Sequence, residues 1–185
     1  EVGEFEEKVA KYCGKKYAVG VNSGTDALYL SLRALDIGPG DEVITTPLSW
    51  IATLNSIVLC GATPIFVDIS EDLNINAELI PDAITSKTKA LLPVHFTGKM
   101  CNMPMITEIA SEHGLLLIED SAQAFGSKIN GAMAGSFGDI SCFSMNPMKN
   151  FNAYGETGAV VTDNRQLYEK LISLRYAGTV NKENC

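Results

Sequence analysis

The sequence predicts a three-layer α/β/α fold around a mostly parallel seven-stranded sheet, and three observations carry that expectation. Short apolar runs alternate along the chain with longer stretches of helical period. Most of the runs are β-branched or leucine-rich with little alternation, as expected where helices cover both faces of a sheet. Gly, Pro and Asn stand where one period gives way to the next.

Taken in order, Phe5 to Tyr12 reads as a helix and Tyr17 to Val21 as the first strand. The helix Thr25 to Leu35 stops before Gly38-Pro39-Gly40, and the second strand comes next as Val43 to Thr46. Ile51 to Leu59 is helical and ends at Gly61, ahead of a third strand from Pro64 to Asp68. Asn76 opens a helix over Ala77 to Ile84, and Ala90 to Val94 is the fourth strand. Met105 to Glu112 runs into His113-Gly114, a left-handed cap with an imidazole placed to complement the helix dipole. The fifth, sixth and seventh strands are Leu115 to Glu119, Ile140 to Ser144 and Ala159 to Thr162, and a last helix spans Arg165 to Tyr176. No repeat, charge block or Pro/Ser-rich linker divides residues 1–185, so a single domain is expected.

Composition removes several function classes. A formal charge of −8 and a pI near 4.7 provide no basic field for nucleic acid. The apolar runs fall far short of the ~20 residues of a membrane span. Cys13, Cys60, Cys101, Cys142 and Cys185 are odd in number, widely spaced and free of C-x-x-C, which predicts buried thiols in a reducing compartment. Two His without H-E-x-x-H offer no catalytic metal constellation, so no metal is expected. The acidic, amphipathic opening EVGEFEEKVA is unlike a secretory signal, and a cytoplasmic protein is expected. Glu1 and Cys185 carry no start or terminating pattern, so both ends read as cut.

In open parallel sheets ligands bind beyond the carboxyl ends of the strands. After the first strand comes Asn22-Ser23-Gly24-Thr25-Asp26, which reads either as an ordinary helix cap or as a turn holding a phosphate on free N–H groups. The fifth strand delivers Asp120, either the cap of the next helix or a carboxylate paired with a cationic ligand atom such as a protonated ring nitrogen. Beyond the sixth strand Lys149 lies among mostly uncharged neighbours, as a solvated charge or as a nucleophile toward an aldehyde. One strand and its connections separate Asp120 from Lys149, so the two are expected to meet over one pocket. Trp50 comes after the second strand and is either core or a stacking face. His95, after the fourth, either orients a ligand or satisfies local backbone.

As a set, NSGTDAL (22–28), TPLSWIATLNSI (46–57), GATPIFVDI (61–69), PVHFTG (93–98), IEDSAQAFGS (118–127) and FSMNPMKNFNAYGETGAVVTD (143–163) resemble the large domain of the DegT-type sugar aminotransferases, fold type I pyridoxal-phosphate enzymes. Order and spacing carry the resemblance across nearly the whole chain. It implies that Lys149 is the Schiff-base lysine and proton shuttle, and that Asp120 holds the pyridine nitrogen protonated. By the same resemblance Gln123 bonds the ring hydroxyl, Trp50 stacks on the ring, and Gly24, Thr25 and Ser144 hold the phosphate. The implied reaction moves an amine from L-glutamate to a keto group on a nucleotide-linked sugar, for polysaccharide, glycan or antibiotic sugars, in a homodimer.

Two departures stand out. Relatives read Gly-Glu-Gly-Gly where this chain has Gly155-Glu156-Thr157-Gly158, so a slightly different turn is expected there. Relatives also continue into a small domain that completes the partner subunit's site, so this chain reads as a truncated large domain. Rival readings are a pyridoxal-phosphate-binding regulator or inactive scaffold, a sugar dehydratase, which carries His in place of the lysine, and other fold type I enzymes. Lys149 argues against the dehydratase.

Overall fold

The computed structural model describes residues 1–179, and Cys185 lies outside them. The described residues form nine strands: β1 (Tyr17–Val21), β2 (Glu42–Thr45), β3 (Thr63–Phe66), β4 (Thr88–Leu91), β5 (Leu116–Asp120), β6 (Lys128–Ile129), β7 (Ala132–Met133), β8 (Ile140–Ser144) and β9 (Gly158–Thr162). The helices are α1 (Val2–Cys13), α2 (Gly24–Ala34), α3 (Ile51–Leu59), α4 (Ile80–Ala83), α5 (Met103–His113) and α6 (Arg165–Arg175). Seven strands form one sheet in the order β1-β9-β8-β5-β4-β2-β3. Only β9 runs against the rest, pairing antiparallel with both β8 and β1. The fold class expected from sequence is therefore present.

Adjacent residues of one strand enter different cores, which is why the runs do not alternate in polarity. Ile118 joins Val19, Leu28, Leu32, Ile57 and Val160 beneath α2, α3 and α6. Its neighbour Leu117 joins Ile44, Leu91 and Ile106 beneath α5 on the opposite face. A third cluster, with Val9, Cys13, Phe143 and Val161, seats α1.

Most departures from expectation are local. The helix over Ala77 to Ile84 is a 3-10 turn, Ala77–Leu79, followed by the short α4. The fourth strand starts earlier, at Thr88, and stops at Leu91, while β5 extends to include Asp120. The β6–β7 hairpin has no counterpart in the sequence reading, because two-residue strands have no period to read. Its turn residues Asn130 and Gly131 have φ of 51° and 84°, the left-handed pair a tight two-residue hairpin requires. No described helix is long and apolar enough to cross a membrane.

Candidate active site

Because β1, β2, β4, β5 and β8 run parallel, their carboxyl ends and the amino end of antiparallel β9 share one edge of the sheet. A cavity of about 710 Å³ opens there. It is lined by the seven residues to which the resemblance gives a role: Gly24, Thr25, Trp50, Asp120, Gln123, Ser144 and Lys149. A smaller cavity of about 440 Å³, bordered by Asp36, Asp41 and Asp139, lies at the other ends of the strands and shares none of them.

The turn after β1 forms one wall. Ser23 caps α2, its hydroxyl accepting from the Asp26 N–H at 3.0 Å and its carbonyl from the Ala27 N–H at 3.0 Å. The first N–H groups of a helix have no partner within it, so those of Gly24 and Thr25 remain to be met from outside. This turn is wedged between two strands. A Cβ on Gly24 would lie 2.5 Å from Ser144 Cβ, and one on Gly158 would lie 2.3 Å from the Ser23 carbonyl oxygen. Glycine at both positions brings the helix start against the end of β8. Thr157, in contrast, has no positive φ, and its carbonyl accepts the Met145 N–H at 2.7 Å, so the departure from Gly-Glu-Gly-Gly is accommodated.

Asp120 forms the floor and is 4% exposed. Its Oδ1 accepts from the Ala122 N–H at 3.2 Å and its Oδ2 from the Thr53 hydroxyl at 3.0 Å. No cation bonds it among the described residues. Burial therefore pushes its pKa above the ordinary carboxylate value, against the opposing pull of the Ala122 N–H, the Thr53 hydroxyl, His95 and Lys149. Lys149 sits in the connection between β8 and β9 and donates from Nζ to Gln123 Oε1 at 3.3 Å. That connection is fastened to the turn after β5: Asn150 Nδ2 donates to the Phe125 carbonyl at 2.8 Å, and the Phe151 and Phe125 rings stack with centroids 3.9 Å apart. Trp50, at the start of α3, is 72% exposed and offers a flat wall rather than core filling.

Sequence reasoning missed Thr53, Asn146 and Glu156, which also line the cavity. Thr53 carried a weak signal, a hydroxyl about one helical turn after Trp50. Asn146 and Glu156 are bonded to each other across the Lys149 loop, a pairing that spacing alone does not reveal. His95 is not at the cavity. It is fully buried behind the floor, bonded to Glu119 at 2.9 Å, which settles its open reading in favour of an internal role.

A match to the DegT/DnrJ/EryC1/StrS aminotransferase family extends over residues 1–185. The chain belongs to this family. It is 50% identical over 176 residues to a UDP-N-acetyl-3-dehydro-α-D-glucosamine 3-aminotransferase of Acidithiobacillus ferrooxidans, covering 95% of this chain and 48% of that protein. Among solved structures it is similar to S. venezuelae DesV in complex with a ketimine intermediate, with TM-score 0.95, 44% identity and coverage of 98% of this chain and 49% of that one. It is also similar to NtdA of Bacillus subtilis with bound cofactor PMP, with TM-score 0.90, 39% identity and coverage of 97% and 42%. The chain thus spans about half the length of the family relatives it matches.

Proposed function

We propose that this chain is the cofactor-binding large domain of a pyridoxal-phosphate-dependent aminotransferase that moves an amine from L-glutamate to a keto group on a nucleotide-linked sugar. One observation carries the reading: a buried carboxylate without a cationic partner, Asp120, shares a cavity with a lysine amine delivered by the next strand. The residues suit the cofactor. A protonated pyridine nitrogen supplies the cation that Asp120 lacks, and the Gly24 and Thr25 N–H groups with the Ser144 hydroxyl suit a phosphate.

In this reading Asp120 keeps a proton on the ring nitrogen, Gln123 orients the ring through its hydroxyl, and Trp50 covers one ring face. Lys149 binds the aldehyde through Nζ and takes up and returns a proton at that atom. When bound, the cofactor supplies an electron sink for the carbon that loses its proton. The sugar class is supported by the relative acting on a 3-keto nucleotide sugar. The exposed Trp50 and Met148 at the cavity support a homodimer with a second subunit seated at its mouth, and the buried thiols support a cytoplasmic setting.

Borohydride reduction of the holoprotein, followed by peptide mapping, tests the reading. A pyridoxyl mass on Lys149 is expected, and its appearance elsewhere, or not at all, overturns it. A spectral change driven by L-glutamate tests the donor.

A further inference from the structure

Glu119 immediately precedes Asp120 and, by the pleat of β5, projects to the opposite face. It is fully buried, yet every lone pair direction is used. Oε1 accepts from His95 Nε2 at 2.9 Å, the Gly135 N–H at 2.7 Å and the Ser121 hydroxyl at 3.1 Å. Oε2 accepts from the Ser141 hydroxyl at 3.0 Å and the Phe137 N–H at 3.2 Å. Burial pushes this carboxyl up, but the bonds from His95, Gly135 and Ser141 outweigh it and hold its pKa below the ordinary value. His95 Nδ1 accepts the Cys101 N–H at 3.2 Å, so the ring proton sits on Nε2 and points at Glu119.

Three of the five donors, on His95, Ser121 and Ser141, come from the segments that grip the backbone around Asp120. The His95 N–H donates to the Asp120 carbonyl at 3.2 Å, the Asp120 N–H to the Pro93 carbonyl at 3.0 Å, and the Ser121 N–H to the Cys142 carbonyl at 2.9 Å. Gly135 reaches Glu119 only as glycine: its φ is 94°, and a Cβ would lie 2.4 Å from the Phe143 ring. One anion thus draws together the segment after β4, β5, β8 and the segment after the β6–β7 hairpin, directly behind the cavity floor.

We infer that Glu119 is a positioning residue that sets the orientation of the Asp120 carboxylate toward the cavity, an inference that rests on the reading of Asp120 as partner of the ring nitrogen. Its side chain touches neither cofactor nor substrate. Its effect runs through Asp120 alone, so loss of the charge should disturb ring-nitrogen protonation before it disturbs substrate binding.

The test uses holoprotein carrying ¹⁵N-labelled pyridoxal phosphate. In Glu119→Gln an amide N–H must face either the Phe137 or the Gly135 N–H. The expected result is a ring-nitrogen resonance moved toward the unprotonated form and a kcat lowered roughly 10- to 100-fold with KM for L-glutamate within about 2-fold. Ser141→Ala removes one donor and should shift both readouts in the same sense by a smaller factor, about 3-fold in kcat. A folded Glu119→Gln protein with the wild-type resonance overturns the proposal, even if kcat and KM fall, because that pattern describes a structural role only. Should Glu119→Gln not fold, Ser141→Ala decides, and wild-type values there overturn it. Wild-type protein that takes up no cofactor overturns the functional reading, and this proposal with it.

Discussion

Replacing Thr53 with valine keeps the side-chain outline and removes one hydroxyl, which makes it a direct probe of the charge on Asp120. Thr53 is 2% exposed, and its hydroxyl donates to Asp120 Oδ2 at 3.0 Å. Ser49 Oγ lies 2.7 Å from the Thr53 hydroxyl oxygen. Since the Thr53 hydrogen is committed to the carboxylate, Ser49 must donate to Thr53, and the two form a relay ending on Asp120. A hydrogen bond to a charged acceptor contributes about 1.5–3 kcal/mol, so cofactor-free Thr53→Val should lose that amount near pH 8. The sign of the pH dependence comes from burial. A carboxyl whose folded pKa is raised contributes stability that is complete below the ordinary aspartate value and is lost as pH rises through the folded pKa. Removing a donor to the charged form raises that pKa further, so the deficit should shrink at pH 5. Urea denaturation at the two pH values measures both effects. Ser49→Ala should cost about 1 kcal/mol in the parent and nearly nothing in the Thr53→Val background. A valine protein as stable as the parent at pH 8, or a deficit larger at pH 5, refutes an ionised, hydroxyl-supported Asp120.

Gly158→Ala should destabilise the fold by about 3 kcal/mol, because the new methyl meets the Ser23 backbone at 2.3 Å and one of the two must move; urea titration checks it, and cofactor binding should weaken as the turn shifts. Trp50→Ala should leave stability within about 0.5 kcal/mol, as the ring is largely exposed, while weakening cofactor affinity about 2- to 12-fold through lost stacking. Equal losses in both would make Trp50 a core residue. Cys13 and Cys101 are 1% and 0% exposed, with burial pushing both thiols up to about 12, so iodoacetamide at pH 8 should label them only after unfolding, as read by peptide mass.

Residues acting where a strand stops were legible in the sequence, since a run of apolar residues broken by one polar side chain marks both the strand and its exit. Asp120, Lys149 and the Ser23-Gly24 turn were found this way. Glu119 was not. A strand read as Leu115 to Glu119 leaves Asp120 outside it, so the pleat that sends the two acids to opposite faces is not assigned, and only the pleat tells which acid faces the cavity. His95 stayed open for a related reason: its partner lies 24 residues on, across a strand neighbour that no local pattern reveals. The antiparallel direction of β9 was equally hidden, because a strand buried on both faces reads alike in either direction. That direction matters to the site, for it makes the Lys149 segment a return loop over the cavity and puts Gly158 against Ser23.

The two acids of β5 show how one strand supports both framework and chemistry. Burying a carboxylate is costly unless donors replace its water, and the two are supplied unequally. Glu119 has bonds from three side chains and two backbone N–H groups, which satisfy it and hold it ionised. Asp120 has one hydroxyl and one N–H, too few to offset its burial, and its pKa rises accordingly. A saturated anion has nothing left to offer a ligand, whereas an undersupplied one gains most from an incoming cation. The fold therefore selects its receptive group by withholding donors from it, and the saturated neighbour behind it keeps that group from relaxing into the core.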